Sequence, residues 1–318
     1  MLFRSLNALH TSQIQDMVHL NGNRSNVLTQ SIVNGLLIGG VYALVAVGLN
    51  LMFGVMRLVN FAHGEFLMAG MYVALSLASL ALPPGLLGIY WVAVPTMLIM
   101  AVIGSAFYLL LLDRAAHFGE SPQILLTIGL SIGAQGLAQV LRGSDFKMVP
   151  NPINGAALHL GGIYFQIGPA ISFAVAIGVT VIMAWVLRAT RFGKSARAVA
   201  ENVETAEMLG IDARRVYMVS TAIATGLVGL AGALLIPYHF TFPNVGQNFV
   251  VIAFLAIVIA GLGSVVGAVF GGLLLGVMQS LTASYLDLDL STAAIYILFL
   301  AVLLLRPQGL FTKGQRTL

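Results

Sequence analysis

The sequence predicts an all-α, polytopic transmembrane protein, and three observations support this class. Of its 318 residues 59% are apolar and only 8% are charged, and the mean hydropathy is +0.97. A soluble domain carries about a quarter charged residues, so this composition cannot cover a water-facing surface. Apolar runs of about twenty residues recur along the chain, which is the length of a membrane-spanning helix. The runs are continuous rather than alternating, which excludes a transmembrane β-barrel.

The apolar runs place about eight to ten spans. The candidates are residues 30–54, 61–82, 85–112, 122–141, 166–187, 216–239, 249–263, 265–284 and 292–305. The run at 249–263 is short for a full crossing, so it is read as tilted, re-entrant or half-length. The chain then divides into a polar N-terminal segment (1–26), a single membrane domain (27–310) and a tail (311–318). The N-terminal segment lacks the apolar core of a signal peptide, so the first span is expected to act as an uncleaved insertion signal.

Basic residues set the expected orientation, because cytoplasmic loops are enriched in Lys and Arg. The loop 188–215 holds Arg188, Arg191, Lys194, Arg197, Arg214 and Arg215, and the C-terminal part holds Arg306, Lys313 and Arg316. Both segments are therefore expected in the cytoplasm. The same reasoning places loop 142–165, Asp287, Asp289 and the N-terminus outside. A nucleic-acid partner is rejected, since the net charge of +4 lies in these loops.

The loop 188–215 has helical periodicity. A helix from about Ser195 to Leu209 would place Val199, Val203, Ala206 and Gly210 on one face, and Arg197, Glu201, Glu204 and Glu207 on the other. Arg197 and Glu201 are spaced as an i,i+4 ion pair, and Gly210 stands where a helix C-cap glycine is expected. The pattern alone fits two interpretations equally: a solvated connector, or a docking helix for a cytoplasmic partner.

The segment NFAHGEF (60–66) places polar residues beside a span. Asn60 is expected to N-cap the following helix, and Glu65 suits the first turns, where the helix dipole favours an anion. Asn60, His63 and Glu65 are predicted to belong to a translocation path or gate, because ionisable residues at a span are costly and indicate a functional site. The alternative is a membrane-surface cap with snorkelled side chains. A metal site is weakly supported, since no second His, Asp or Glu cluster supplies further ligands.

The segment AGLGSVVGAVFGG (260–272) is rich in glycine. Gly263 and Gly267 have small-xxx-small spacing, which lets helix backbones approach closely. One interpretation is tight packing around a cytoplasmic turn at Gly263 and Ser264. The other is a flexible break, including Gly261, in a helix that lines a solute path. A dinucleotide-binding motif is not indicated, because no soluble strand precedes these glycines.

Several motifs are absent from the sequence. It has no cysteine and no GxxxxGK[ST], GxSxG or HExxH motif, so neither a thiolate site nor a P-loop is expected. We therefore expect no enzymatic activity and no cofactor in this chain. Only Glu65 is acidic near the interior of a span, which makes a self-powered carrier hard to build. Energy for transport would come from a partner.

Four segments resemble permease subunits of branched-chain amino acid ABC importers. They are NGLLIGGVYALVAVGLNLMFGVMRLVNFAHGEFLMAGMYVA (34–74), RFGKSARAVAENVETAEMLGID (191–212), AGLGSVVGAVFGGLLLGVMQSL (260–281) and RPQGLF (306–311). The resemblance covers nearly the whole chain.

The resemblance implies residue roles and partners. Permeases of this type carry an E-A-A-x-x-x-G loop that seats in a groove of the ATPase. Here Glu204, Ala206 and Gly210 match it and Thr205 replaces the first alanine. The coupling role extends by proximity to Arg197. The implied assembly lies in a bacterial inner membrane. It contains a second homologous permease, two cytoplasmic ATPase subunits that bind ATP and Mg, and a periplasmic binding protein.

The implied solute is leucine, isoleucine or valine, while similar permeases carry urea, short amides or other amino acids. An ion-coupled secondary carrier, an intramembrane enzyme built on His63 and Glu65, and a passive channel are the alternatives from other classes. Arg142 and Lys147 are the basic residues of the long outer loop. They are expected either to meet acidic residues of the binding protein or to be solvated loop charges.

Overall fold

The computed structural model describes residues 24–80, 88–116, 118–153, 155–160, 163–306 and 309–310. The polar segment up to residue 23, the tail 311–318 and the basic residues Lys313 and Arg316 lie outside these ranges. The helices are α1 (Arg24–Met56), α2 (His63–Leu80), α3 (Ala93–Phe107), α4 (Asp113–Ala116), α5 (Glu120–Arg142), α6 (Ile167–Ala189), α7 (Arg191–Glu201), α8 (Val203–Met208), α9 (Ala213–Leu235), α10 (Val245–Ala260), α11 (Val265–Tyr285) and α12 (Leu288–Leu305). A 3-10 turn (Gly88–Val92) precedes α3 and a π-helical turn (Tyr108–Leu112) follows it.

The described part of the chain contains six helices that are long and apolar enough to cross a membrane. They are Val27–Met56, Gly88–Ala116, Ser121–Arg142, Ile167–Ala189, Ala213–Leu235 and Val265–Tyr285. Two shorter apolar helices, Val245–Ala260 and Leu290–Leu305, lie after α9. The helical, polytopic class is therefore confirmed, and the count of eight to ten spans stays a prediction.

A two-stranded sheet departs from the all-α expectation. Strands β1 (Ala157–Leu160) and β2 (Ile163–Gln166) pair antiparallel, with Leu158 opposite Phe165. The rings of His159 and Tyr164 meet across the strands, 4.1 Å between centroids. This hairpin lies in the loop expected outside the membrane, where the sequence shows no helical period.

Helices α1 and α9 form the centre of the bundle, and α5 lies at its edge. In their most apolar windows 83% of α1 and 78% of α9 are buried, against 11% of α5. Leu44 and Leu234 are fully buried. The apolar core is thus built around two helices, and the remaining spans present much of their surface to lipid or to neighbouring proteins.

Glycine lets α1 and α11 pack backbone to backbone. A Cβ added at Gly272 of α11 would lie 2.4 Å from the backbone nitrogen of Ala43, and one added at Gly276 would lie 2.4 Å from the carbonyl oxygen of Gly35. Only a residue without a side chain fits such a contact, as is common between membrane helices. Within the segment 260–272, Gly271 and Gly272 therefore make the expected close backbone contacts, whereas a Cβ added at Gly263 would meet nothing within 4 Å.

Candidate functional site

The expected coupling segment, 188–215, folds as two helices, so the prediction of one helix from Ser195 to Leu209 is wrong. α7 ends at Glu201, and Asn202 is extended with φ −155° and ψ 114°. The side chain of Asn202 then accepts a hydrogen bond from the backbone N–H of Thr205 at 2.8 Å and caps α8. Asn competes with helical hydrogen bonds in this way, because its short side chain bonds nearby backbone groups.

Gly210 ends α8 as the sequence predicted. Its φ is +83°, its N–H donates to the carbonyl of Glu207 at 2.9 Å, and the N–H of Ile211 donates to the carbonyl of Ala206 at 3.0 Å. These two bonds form a Schellman motif, in which a left-handed glycine satisfies the last carbonyls of a helix. The spacing of Ala206 and Gly210 is therefore a structural feature of the segment.

The buried face of the segment is smaller than expected. Val199 and Ala206 are buried, at 1% and 2% exposure, whereas Val203 and Gly210 are exposed because the bend at Asn202 rotates α8. Met208 and Leu209 are 86% and 76% exposed. An adjacent pair of exposed apolar side chains marks a candidate contact surface for a protein or a membrane. Helical periodicity did not predict this pair.

Arg197 does not make the expected ion pair with Glu201. Its guanidinium donates instead to the carbonyl oxygen of Leu187 near the end of α6, where helix carbonyls lack intrahelical partners. Glu204 is exposed on α8. The two charged residues therefore differ: Arg197 joins α7 to α6, and Glu204 faces solvent.

The glycine segment forms the expected turn at the same end of the bundle. α10 ends at Ala260 and α11 begins at Val265. Gly261 and Gly263 between them have φ of +99° and +89°, a region that favours glycine. The Oγ of Ser264 accepts a hydrogen bond from the N–H of Gly267 at 3.0 Å and caps α11.

Asn50 of α1 holds this turn. Its Oδ1 accepts a hydrogen bond from the N–H of Gly263 at 2.8 Å, and its side chain is 1% exposed. A cleft of about 300 Å³ opens beside the turn, bounded by α1, α6, α7 and the first residues of α11. Arg188 and Arg197 contribute to its lining. The sequence analysis did not single out Asn50, although a polar residue within a 33-residue apolar helix is a signal.

The residues Asn60, His63 and Glu65 lie at the start of α2. The residue that precedes α2 is Ala62, so Asn60 does not cap the helix itself. Its Oδ1 accepts from the N–H of Ala62 at 3.0 Å and shapes the preceding turn. His63 is fully buried against α1 near Gly48. Neither of its ring nitrogens has a hydrogen-bond partner among the described groups.

Glu65 connects α2 to the peripheral helix α5. Its Oε1 accepts from the hydroxyl of Ser131 at 3.0 Å and from Nε2 of Gln135 at 2.7 Å. Its Oε2 is buried and has no partner within the described residues. The snorkelled-cap alternative does not describe this side chain, which is 4% exposed. No cluster of three or more potential metal ligands occurs in the described ranges.

Loop 142–165 lies at the opposite end of the bundle, which the basic residues predict to be outside and which we call the outer end. The backbones of Lys147 and Thr241 exchange hydrogen bonds of 2.9 and 2.8 Å. The side chain of Asn151 donates to the carbonyl of Pro237 at 3.0 Å. Gln30 exchanges two 2.8 Å bonds with the backbone of Tyr164. The loop is therefore fastened to α1 and to the α9–α10 connection.

Arg142 also has an internal contact. Its guanidinium donates to the hydroxyl of Ser76 at 2.6 Å and lies 5.9 Å from the centroid of the Tyr72 ring. It thus joins the end of α5 to α2. Docking of a binding protein through Arg142 and Lys147 stays a prediction.

The structure brings most of the sequence-predicted residues to one end, the inner end. The segment α7–α8, the turn at Gly261 and Gly263, and the start of α2 all lie there, joined by hydrogen bonds from Arg57 to Ala200 and from Gly263 to Asn50. Arg142 and Lys147 lie at the outer end.

The comparisons with known proteins match this chain along almost its whole length. The model of the family described as branched-chain amino acid transport system / permease component matches residues 31–305. The permease protein LivH of the high-affinity branched-chain amino acid transport system of Salmonella typhimurium is 29% identical over 90% of this chain and 96% of its own. BraD of Pseudomonas aeruginosa, with the same description, is also 29% identical over 90% and 96%.

A probable branched-chain amino acid transport permease from Methanocaldococcus jannaschii is 28% identical over 88% of this chain and 91% of its own. No solved structure gives a significant match. The family model covers all of α2 to α12 and residues 31–56 of α1. The chain therefore belongs to the family of permease components of branched-chain amino acid transport systems.

Proposed function

We propose that this chain is the membrane permease subunit of a bacterial inner-membrane importer for leucine, isoleucine and valine, driven by separate ATPase subunits. The match of the family model to residues 31–305 carries this proposal, and the branched-chain amino acid transport systems of the relatives supply the solute class. The subunit has no catalytic role. ATP and Mg belong to the partner ATPases.

The α7–α8 segment supports the assignment of an ATPase-docking surface. Glu204, Met208 and Leu209 project from the bundle while Ala206 anchors α8 to it. Exposed apolar side chains beside a carboxylate suit a groove with an apolar floor and a basic rim. Gly210 keeps α8 short and fixes the direction of the exposed pair.

The expected assembly contains a second homologous permease, two ATPases and a periplasmic binding protein. ATP binding would close the ATPases, move the two coupling segments together and open the path toward the loaded binding protein. The inner turn at Gly261 and Gly263 is proposed as part of the path, because it borders the 300 Å³ cleft at the inner end. Selectivity would then lie mainly with the binding protein, so urea, short amides and other amino acids are the alternative solutes.

Two substitutions in the coupling segment, one that reverses a charge and one that replaces its glycine, test the proposal. Glu204→Lys and Gly210→Asp are expected to abolish ATP-dependent uptake of radiolabelled leucine while the protein still reaches the membrane. Glu201→Lys is the matched control: it reverses an exposed charge on α7, before the bend, and is expected to retain most uptake. Normal uptake by both Glu204→Lys and Gly210→Asp would contradict the docking assignment.

A second candidate, an ion-coupled carrier, is favoured by one observation. The Oε2 of Glu65 is buried and has no partner among the described residues, which is a costly arrangement for a carboxylate. In that case the purified chain alone would take up leucine in liposomes with a proton gradient, and Glu65→Gln would remove the pH dependence. Uptake that requires ATP and the partner subunits excludes this candidate.

A further inference from the structure

We propose that Arg57 is a positioning residue that transmits the movement of the coupling segment to α1. Arg57 follows the last residue of α1 and donates from Nη2 to the carbonyl oxygen of Ala200 in α7 at 3.2 Å. This proposal rests on the proposed function, because it takes α7–α8 as the ATPase-docking segment. It adds a residue outside that segment and names its acceptor.

The backbone of Arg57 is in a conformation that an arginine adopts only with strain. Its φ is +52°, the one positive value at a residue other than glycine in the described part of the chain. Glycine is the usual residue at such a helix end, because a Cβ is strained there. An arginine held there indicates that its side chain makes a compensating contact.

The acceptor of this hydrogen bond is well suited to a cation. Ala200 lies in the last turn of α7, where carbonyl groups have no helical N–H partner and the helix dipole is negative. The chain bends at Asn202, two residues later, and α8 begins. Arg57 therefore forms a hydrogen bond with the coupling segment two residues before its bend.

From Arg57 the contact continues through α1 to the inner turn. The same helix carries Asn50, whose side chain holds the N–H of Gly263. α1 also packs directly on α11 through glycine. A displacement of α8 would move the bend at Asn202 and, through Arg57, the end of α1. Asn50 of α1 would then pass the movement to the turn between α10 and α11.

The test measures leucine taken up per ATP hydrolysed by the complete transporter in liposomes. Arg57→Asn tolerates the left-handed backbone but is too short to reach Ala200, and Arg57→Gly removes the strain as well. Both are expected to lower the ratio about three- to tenfold, the effect of losing one exposed charge-assisted hydrogen bond. Arg114→Asn, which removes an exposed arginine of α4, is the matched control and is expected to leave the ratio unchanged.

Two further outcomes decide between positioning and other roles. A normal ratio in both Arg57 variants overturns the proposal, even where less protein reaches the membrane. An equal loss in Arg114→Asn also overturns it, since positive charge alone would then explain the effect.

The bend supplies an independent test. Asn202→Ala removes the cap of α8. If Arg57 acts through the bend, the double variant Arg57→Asn/Asn202→Ala is no worse than the worse single variant. If the double variant instead lowers the ratio by the product of the two single effects, the two residues act separately, and transmission from the bend through Arg57 is refuted.

The failure of this inference is distinguishable from the failure of the proposed function. Loss of uptake in Glu204→Lys with a normal ratio in the Arg57 variants rejects only the role of Arg57. Normal uptake in Glu204→Lys and Gly210→Asp rejects the docking segment itself.

Discussion

Alanine in place of Gly272 is expected to destabilise the contact between α1 and α11. The added Cβ would lie 2.4 Å from the nitrogen and 2.6 Å from the Cα of Ala43, about 1 Å closer than the 3.4 Å at which ordinary contact begins. Both neighbours are backbone atoms, so no rotamer change relieves the clash and the two helices must separate. Overpacking of this kind costs about 1–3 kcal/mol. For a chain of this size that corresponds to a fall in Tm of roughly 2–6 °C.

The matched control is Gly133→Ala in α5. Nothing lies within 4 Å of a Cβ added at Gly133, and alanine favours a helix over glycine by about 1 kcal/mol in water. Its Tm is expected to equal or exceed that of the wild type. Thermal unfolding of the purified protein in one detergent gives the comparison. Equal Tm values for Gly272→Ala and Gly133→Ala would refute the role of the backbone contact.

Substitutions at three other residues probe the inner end and the α2–α5 contact. Glu65→Gln keeps an oxygen that accepts the hydrogen bond from Gln135. Glu65→Leu removes that acceptor and is expected to lower the free energy of unfolding by about 1–3 kcal/mol. A Leu variant as thermostable as the Gln variant would argue against this. Asn50→Ala should speed hydrogen exchange at the N–H of Gly263, and unchanged protection there would mean that the bond is unimportant. Gly210→Ala forces a Cβ into the left-handed region at about 1–2 kcal/mol, so ATPase binding measured by pull-down should weaken; wild-type binding would contradict it.

Sequence periodicity located the long helices well. The run 122–141 corresponds to Glu120–Arg142, and the run 265–284 corresponds to Val265–Tyr285. Long apolar runs carry this information because lipid requires every backbone group within them to be paired inside the helix. The start of α11 at residue 265 also has a local signal in the sequence, because the adjacent Ser264 caps the helix.

Two elements of the structure differ from the sequence prediction, each for a physical reason. Asn202 breaks the expected single helix because its side chain caps α8 instead, a choice that periodicity does not register. The hairpin at 157–166 was missed because two four-residue strands leave too short a pattern. Its stability depends on contacts with distant residues such as Gln30.

Site residues were predictable only where the signal was local. His63 and Glu65 stood out as ionisable residues beside a span, but Ser131 and Gln135 are 66 and 70 residues from Glu65. Their spacing of four residues on an apolar helix was a usable signal for a shared polar face. The bond from Gly263 to Asn50 spans 213 residues, and no local pattern indicates it.

The fastening of the outer loop has a thermodynamic consequence. Lys147, Asn151 and Tyr164 fasten the loop through hydrogen bonds at the outer end, and each bond is worth about 0.5–1.5 kcal/mol. Together they hold the loop with an energy on the order of a few kcal/mol. A ligand needs about 5.5 kcal/mol of differential affinity to invert a two-state population from 1:99 to 99:1. The two energies are of the same order, so a protein that bound only the released form of the loop would be enough to detach it.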